Sequence, residues 1–227
     1  MKRLFINGSP RGKESNSRII LSWIAEGMAS CGVTEEIETI DLARLGELDA
    51  EIKAFLAADE IVMVMPLYTD SMPALVKRFI DSLAAVSQAD LNGKRIAFVV
   101  QSGFPEGIQG ETLGLYFSRL SQRCGWKNMG VVVKGGIEGI QIMPPGMTAK
   151  TRKLFMEMGA SIVNKGIVEP AIIQKAVKPY TLGFGMRLLF IILKPTGLTN
   201  MYWNMNLKKN NAWEKRFDAP YGKPYKR

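Results

Sequence analysis

The feature that most constrains this chain is an alternation. Short apolar runs, several rich in β-branched residues, recur along its first 165 residues, and each is followed by a stretch with helical spacing. Lys2–Asn7 (KRLFIN), Glu36–Ile40, Glu60–Met65 (EIVMVM), Arg95–Gln101 (RIAFVVQ) and Lys127–Lys134 (KNMGVVVK) read as five strands. Helices are expected over Ser17–Met28, where Ile20, Trp23, Ile24 and Gly27 share one side, and near Ala50–Ala57. A further helix is expected with Pro73 in its first turn and Leu75, Val76, Phe79, Ile80 and Leu83 at helical spacing, and others cover Thr112–Cys124 and Thr148–Lys165. Strand centres that are almost continuously apolar belong to a sheet covered on both faces. Right-handed crossovers then leave an α/β fold, a doubly wound five-stranded parallel sheet with helices on both faces, as the simplest topology. No internal repeat is visible.

Composition narrows the chemistry. The chain has no histidine, which removes Ser–His and Cys–His nucleophiles, histidine metal ligands and a histidine general base together. Its two cysteines, Cys31 and Cys124, are too few for a disulfide framework, a zinc site or an iron–sulfur cluster, and read as structural thiols. An enzyme with this inventory leaves the reactive step to a cofactor. The thirteen methionines, Met63 and Met65 among them, fall mostly in strand or helix cores and read as packing. The opening MKRLFINGSPRG enters a strand at once and does not read as a signal peptide, so a reducing cytoplasmic location is expected. No window reaches the roughly 20 apolar residues of a transmembrane helix. The nearest approach, Thr181–Leu193, is short and carries Arg187.

The net charge of +9 is unevenly placed. Val168–Arg227 holds eleven Lys and Arg against three acids, whereas the preceding 167 residues hold nineteen against eighteen. A nearly neutral body with a cationic C-terminus suggests a folded domain, residues 1–178, followed by a basic, partly apolar extension, residues 179–227. Its apolar run, Leu188–Leu193, needs a cover. The reading adopted is docking on the chain's own body or on a dimer mate. The alternative is contact with a membrane surface through Phe184, Leu188, Leu189, Phe190 and Ile192. Trp203, Lys208, Lys209, Trp213 and Arg216 belong to no nucleic-acid module, and nucleic-acid binding is not expected.

In a doubly wound sheet, ligands sit beyond the carboxyl ends of the strands where the strand order reverses. The loops there are the most unusual segments of the sequence. After the first strand comes Gly8-Ser9-Pro10-Arg11-Gly12-Lys13-Glu14-Ser15-Asn16-Ser17, with three hydroxyls, an amide and two cations running into a helix start. Hydroxyls, loop amides, a helix N-terminus and a guanidinium suit a phosphate monoester. The same residues could simply cap the helix. The loop is neither G-x-G-x-x-G nor a Walker loop. After the third strand, Pro66-Leu67-Tyr68-Thr69-Asp70-Ser71-Met72-Pro73 frames an aromatic between two prolines, a rigid cup for a flat ring or an ordinary connection. After the fourth, Ser102-Gly103-Phe104-Pro105-Glu106-Gly107 offers backbone amides and a second aromatic.

Together, GSPRGKESNS and PLYTDSMPALVKRFID resemble the NADPH-dependent FMN reductase-like family of flavodoxin-like flavoproteins, over roughly residues 1–165. The resemblance implies a flavodoxin-like fold, FMN as cofactor, NAD(P)H as co-substrate and a homodimer with each flavin near the subunit interface. It implies that Ser9, Arg11, Ser15, Asn16 and Ser17 bind the phosphate. Pro66, Leu67, Tyr68 and Asp70 would line the flavin or ribityl chain, and Ser102, Gly103 and Phe104 would face the ring from the other side. The insertion Gly135–Met147 and the tail exceed a minimal family member and are expected to form a lid or dimer arm. The function expected is an oxidoreductase passing hydride from a nicotinamide through the flavin to a small-molecule acceptor: a quinone, nitro compound, azo dye or free flavin. The alternatives are an electron carrier serving a protein partner, against which the basic tail argues because such carriers are typically acidic, and a flavin-free interaction module.

Overall fold

The fold is described from a computed structural model covering residues 1–44, 46–218 and 222. Five strands form: β1 (Arg3–Asn7), β2 (Glu38–Asp41), β3 (Glu60–Pro66), β4 (Arg95–Gln101) and β5 (Lys127–Lys134). All neighbouring pairs are parallel, and the spatial order is β2-β1-β3-β4-β5. The order reverses between β1 and β3, so the crevice of a doubly wound sheet falls beyond Asn7 and Pro66.

Alternation along each strand divides the core in two. On one face Phe5, Val62, Val64, Ala97 and Val99 pack under α1 (Asn16–Ala29) and, farther along the chain, α6 (Pro145–Lys165). On the other, Leu4, Ile6, Ile61, Met63, Met65 and Phe98 pack under α2 (Leu48–Ala57), α3 (Ala74–Ser82) and α5 (Glu111–Cys124). All of β3 is buried, the expected fate of a central strand that reads as an unbroken apolar run. A short helix, α4 (Gln88–Leu91), which periodicity did not signal, precedes β4, with Ser87 as its N-cap.

Two glycines set the distance between α1 and α6. A Cβ on Gly27 would lie 2.0 Å from the Met156 carbonyl oxygen, and one on Gly159 would lie 2.1 Å from that of Ile24. The two helices therefore pass backbone to backbone, and α6 anchors the helix whose N-terminus faces the crevice.

The boundaries differ from the sequence reading mostly by one to three residues. Pro73 sits at the N-cap of α3 rather than inside its first turn, and α6 begins at Pro145, three residues before the expected Thr148. The larger difference lies past Gly166. There, beyond the 165 residues of the alternation, three more helices form: α7 (Pro170–Ala176), α8 (Phe184–Leu193) and α9 (Met201–Lys209). The contacts divide the chain into two compact units, Met1–Thr181 and Leu182–Arg227. Within the first, the Gly107 and Ile108 amides donate to the carbonyls of Pro179 and Tyr180 at 2.8 and 3.0 Å. The rest of the expected extension, residues 219–221 and 223–227, lies outside the described residues.

Candidate cofactor site

The crevice is organised from Asn7, the last residue of β1, whose side chain is completely buried. Its amide nitrogen donates to the Gly12 carbonyl (2.8 Å) and to Asp41 Oδ1 (2.7 Å), with Ser15 Oγ 3.2 Å away. Its amide oxygen accepts from the Ser9 backbone N–H (3.1 Å) and from Ser15 Oγ (3.3 Å). One asparagine thus ties both ends of the loop to the sheet, and Asp41 ties it to the end of β2. Gly8 is demanded by proximity, because a Cβ there would lie 2.6 Å from Val76 Cγ2.

Ser15 is the N-cap of α1, its Oγ accepting from the Arg18 N–H at 3.2 Å. Its hydroxyl is therefore committed to the helix and to Asn7. The next two residues are different. Ser17 Oγ and Asn16 Oδ1 are buried with no hydrogen-bonding partner, although unsatisfied buried groups are costly. Both lie in the first turn of α1, where backbone N–H groups lack intrahelical acceptors and the helix dipole favours negative charge. The Asn16 amide nitrogen is occupied, donating to the Ile137 carbonyl at 3.0 Å. Its orphaned oxygen is an acceptor, which suits a hydroxyl group rather than a phosphate oxygen.

A cleft of about 40 Å³ is lined by Ser9, Arg11, Asn16, Pro66, Leu67, Tyr68, Gln101, Ser102, Gly103 and Glu138. Eight of the twelve residues singled out in the sequence come together there. Ser15 and Ser17, in the cap and first turn of α1, are not among the residues that line it. Asp70 does not line the cleft, because the chain turns away at Tyr68. Tyr68 and Ser71 exchange backbone hydrogen bonds of 2.9 and 3.0 Å, with Thr69 and Asp70 at φ of 48° and 61°, a tight turn of the hairpin kind that leaves Asp70 exposed at its tip. Phe104 is not part of the lining either and is 60% exposed, while Tyr68, which does line the cleft, is 47% exposed.

Gln101 and Glu138 are in the cleft but were not singled out. The Gln101 carbonyl accepts from the Leu67 N–H at 2.8 Å, joining the ends of β3 and β4. Glu138 comes from the 135–147 segment, whose Ile137 and Ile140 are buried in the core beneath α1 and α6. The Ile137 amide donates to the Ser102 carbonyl (2.9 Å), and that of Gly136 to the Phe104 carbonyl (2.8 Å). The first half of the insertion is thus a wall of the cleft, while Ile142, Met143 and Met147 remain exposed. At the end of β5, burial holds the Lys134 ammonium below its ordinary pKa, and its Nζ donates to the Gly135 carbonyl at 2.8 Å.

A larger groove of about 580 Å³ runs between α1 and the approach to β2, lined by Phe5, Ile19, Ala25, Val33 and Ile37 among others. It lies away from the strand carboxyl ends and has none of the hydroxyl loop. Among the described residues no group of acidic, histidine or cysteine side chains could hold a metal ion.

Residues 1–154 match the family model described as flavodoxin-like fold. The chain belongs to that family. Solved structures with the same flavodoxin-like fold include an FMN-dependent NADH-azoreductase from Bacillus anthracis in complex with FMN, 17% identical, covering 72% of this chain and 100% of that one with a TM-score of 0.53. The NAD(P)H:quinone oxidoreductase from Methanothermobacter marburgensis is 17% identical, covering 71% of this chain and 96% of that one at TM-score 0.54. The Trp repressor binding protein from Bacillus subtilis is 19% identical, covering 72% and 99% at TM-score 0.54. At these identities the likeness is one of fold. No curated protein matches the chain in sequence.

Proposed function

We propose that this flavodoxin-like chain is an FMN-dependent NAD(P)H oxidoreductase acting on a small-molecule acceptor. The observation that carries the reading is the pair of buried, unpartnered polar atoms, Ser17 Oγ and Asn16 Oδ1, in the first turn of α1, where Asn16 lines the cleft with Ser9 and Arg11. A buried hydroxyl at a helix N-terminus lacks an acceptor, and a phosphate oxygen is one. Further support comes from the family and from the fold shared with proteins described as FMN-dependent and NAD(P)H-dependent reductases.

The residues fit the group in the following way. The cleft is small, so the ring would lie outward, by the exposed Tyr68 and Phe104. Arg11 and the Ser9 and Ser17 hydroxyls would hold the phosphate, assisted by the dipole of α1. Ser15 would act indirectly, fixing the first turn through its cap. Asn16 Oδ1 would accept from a ribityl hydroxyl. Pro66, Leu67 and Tyr68 would flank the ring from one side and Ser102, Gly103 and Phe104 from the other, with Asp70 at the rim. FMN so bound supplies the hydride chemistry, between a reduced nicotinamide and a quinone, nitro, azo or flavin acceptor, that this histidine-free chain lacks. The two exposed rings suit a site closed by the second subunit of a homodimer, and the free thiols Cys31 and Cys124 suit a reducing cytoplasm.

The test is the visible spectrum of the full chain mixed with FMN, titrated with NADPH or NADH without oxygen. The proposal expects bound flavin that bleaches with the nicotinamide and recovers when a quinone or azo dye is added. Protein that takes up no FMN contradicts it. Bound flavin that is reduced by a redox protein but by neither nicotinamide makes the chain an electron carrier instead.

A further inference from the structure

The second unit, Leu182–Arg227, holds a feature that the oxidoreductase reading does not use. In α8 (FGMRLLFIIL) Arg187 is the sole polar side chain, and every residue from Phe184 to Ile192 is exposed. A helix apolar all round belongs in a core or in lipid. Ten residues span about 15 Å, half of what a crossing needs, and no helix among the described residues is long and apolar enough to cross a membrane. Beyond it, Leu198, Met201, Trp203, Met205 and Phe217 are also exposed large apolar side chains. Cations are threaded through this surface. Lys208 Nζ stands 5.2 Å, and the Arg216 guanidinium carbon 4.0 Å, from the ring centroid of Trp213.

Charge decides between the two covers that the sequence left open. Residues 182–227 contain nine Lys and Arg against two acids, whereas residues 1–181 contain 21 against 19. A two-fold contact between extensions would set like charges opposite one another, and the nearly neutral body has no acidic excess to offer. An anionic lipid surface answers both demands, giving headgroup phosphates to the cations and acyl chains to α8. We propose that the C-terminal unit binds the surface of anionic bilayers, with α8 lying in the boundary between headgroups and acyl chains. The inference does not rest on the flavin site.

Flotation of the full chain with vesicles tests it. Vesicles of equal parts phosphatidylcholine and phosphatidylglycerol are expected to carry the protein, phosphatidylcholine alone to carry far less, and added salt to release it. Lys208→Ala with Lys209→Ala should lower partitioning about 30-fold, at roughly fivefold per cation. Leu189→Glu with Ile192→Glu should abolish flotation and leave the thermal unfolding of the body unchanged, since both side chains are exposed. Failure of the unmodified chain to float with the anionic vesicles overturns the proposal. So does equal binding to neutral vesicles. If the glutamate variant instead converts a dimer to a monomer and no vesicle binding is seen, a second copy is the occupant and the lipid reading is wrong.

Discussion

Residues 1–181 and 182–227 dispose of their apolar side chains in opposite ways. In the first, five phenylalanines (Phe55, Phe79, Phe98, Phe117 and Phe155) are fully buried between the sheet and its helices. In the second, no described residue is buried, although α8 is as apolar as any strand. The difference teaches that an apolar run acquires a fate only from a partner. EIVMVM has strands on both sides and helices on both faces, whereas FGMRLLFIIL is long enough for a helix and has no layer of its own to complete.

Substitutions can break this contrast. The largest effect is expected at Phe98, which is fully buried and stacks on Phe117 with ring centroids 4.3 Å apart. Phe98→Ala should cost about 3–5 kcal/mol in denaturant unfolding, combining lost transfer free energy with a cavity. Gly27→Ala comes next. Helix propensity alone would favour alanine by about 1 kcal/mol, but the new Cβ would sit 2.0 Å from a backbone oxygen of α6. A net loss of about 1–3 kcal/mol is expected, read as a lower unfolding midpoint. Ile191→Ser in α8, by contrast, should shift the unfolding of the body by less than about 0.5 kcal/mol. A loss there as large as at Phe98 would mean that α8 belongs to the core and would erase the distinction.

The sequence carried the fold well because each strand is a local signal. Arg95–Gln101 and Lys127–Lys134 appear in the structure with the limits their composition suggests, and the doubly wound order follows from five such signals and the handedness of crossovers. The tail helices were less legible, since Pro195, Gly197 and the Asn- and Lys-rich text interrupt any long period. In the site, the hydroxyl-rich and proline-framed loops were visible because their residue types are unusual for plain connections. Asn7 was not, for it reads as the last residue of a strand, and its role depends on Gly12, Ser15 and Asp41 converging on it. Glu138 was hidden for the same reason, brought to Gly103 by a fold in the insertion. Asp70 stands apart from Pro66, Leu67 and Tyr68, which line the cleft, because two consecutive left-handed residues carry it out to the tip of a turn. Glu60, buried between Arg3 at 2.7 Å and Arg95 at 3.3 Å, shows the same limit at the opposite end of the sheet.

The central claim is that the first turn of α1 and its loop hold a phosphate. The most direct measurement compares the affinities of FMN and riboflavin for the full chain and for Arg11→Ala combined with Ser17→Ala. Only FMN carries the phosphate, so the unmodified chain should prefer it. The double substitution should then weaken FMN by roughly 2–4 kcal/mol, about 30- to 1000-fold, and leave riboflavin nearly unchanged. Equal weakening of both ligands, or no preference for FMN in the unmodified chain, would show that the loop does not hold the phosphate.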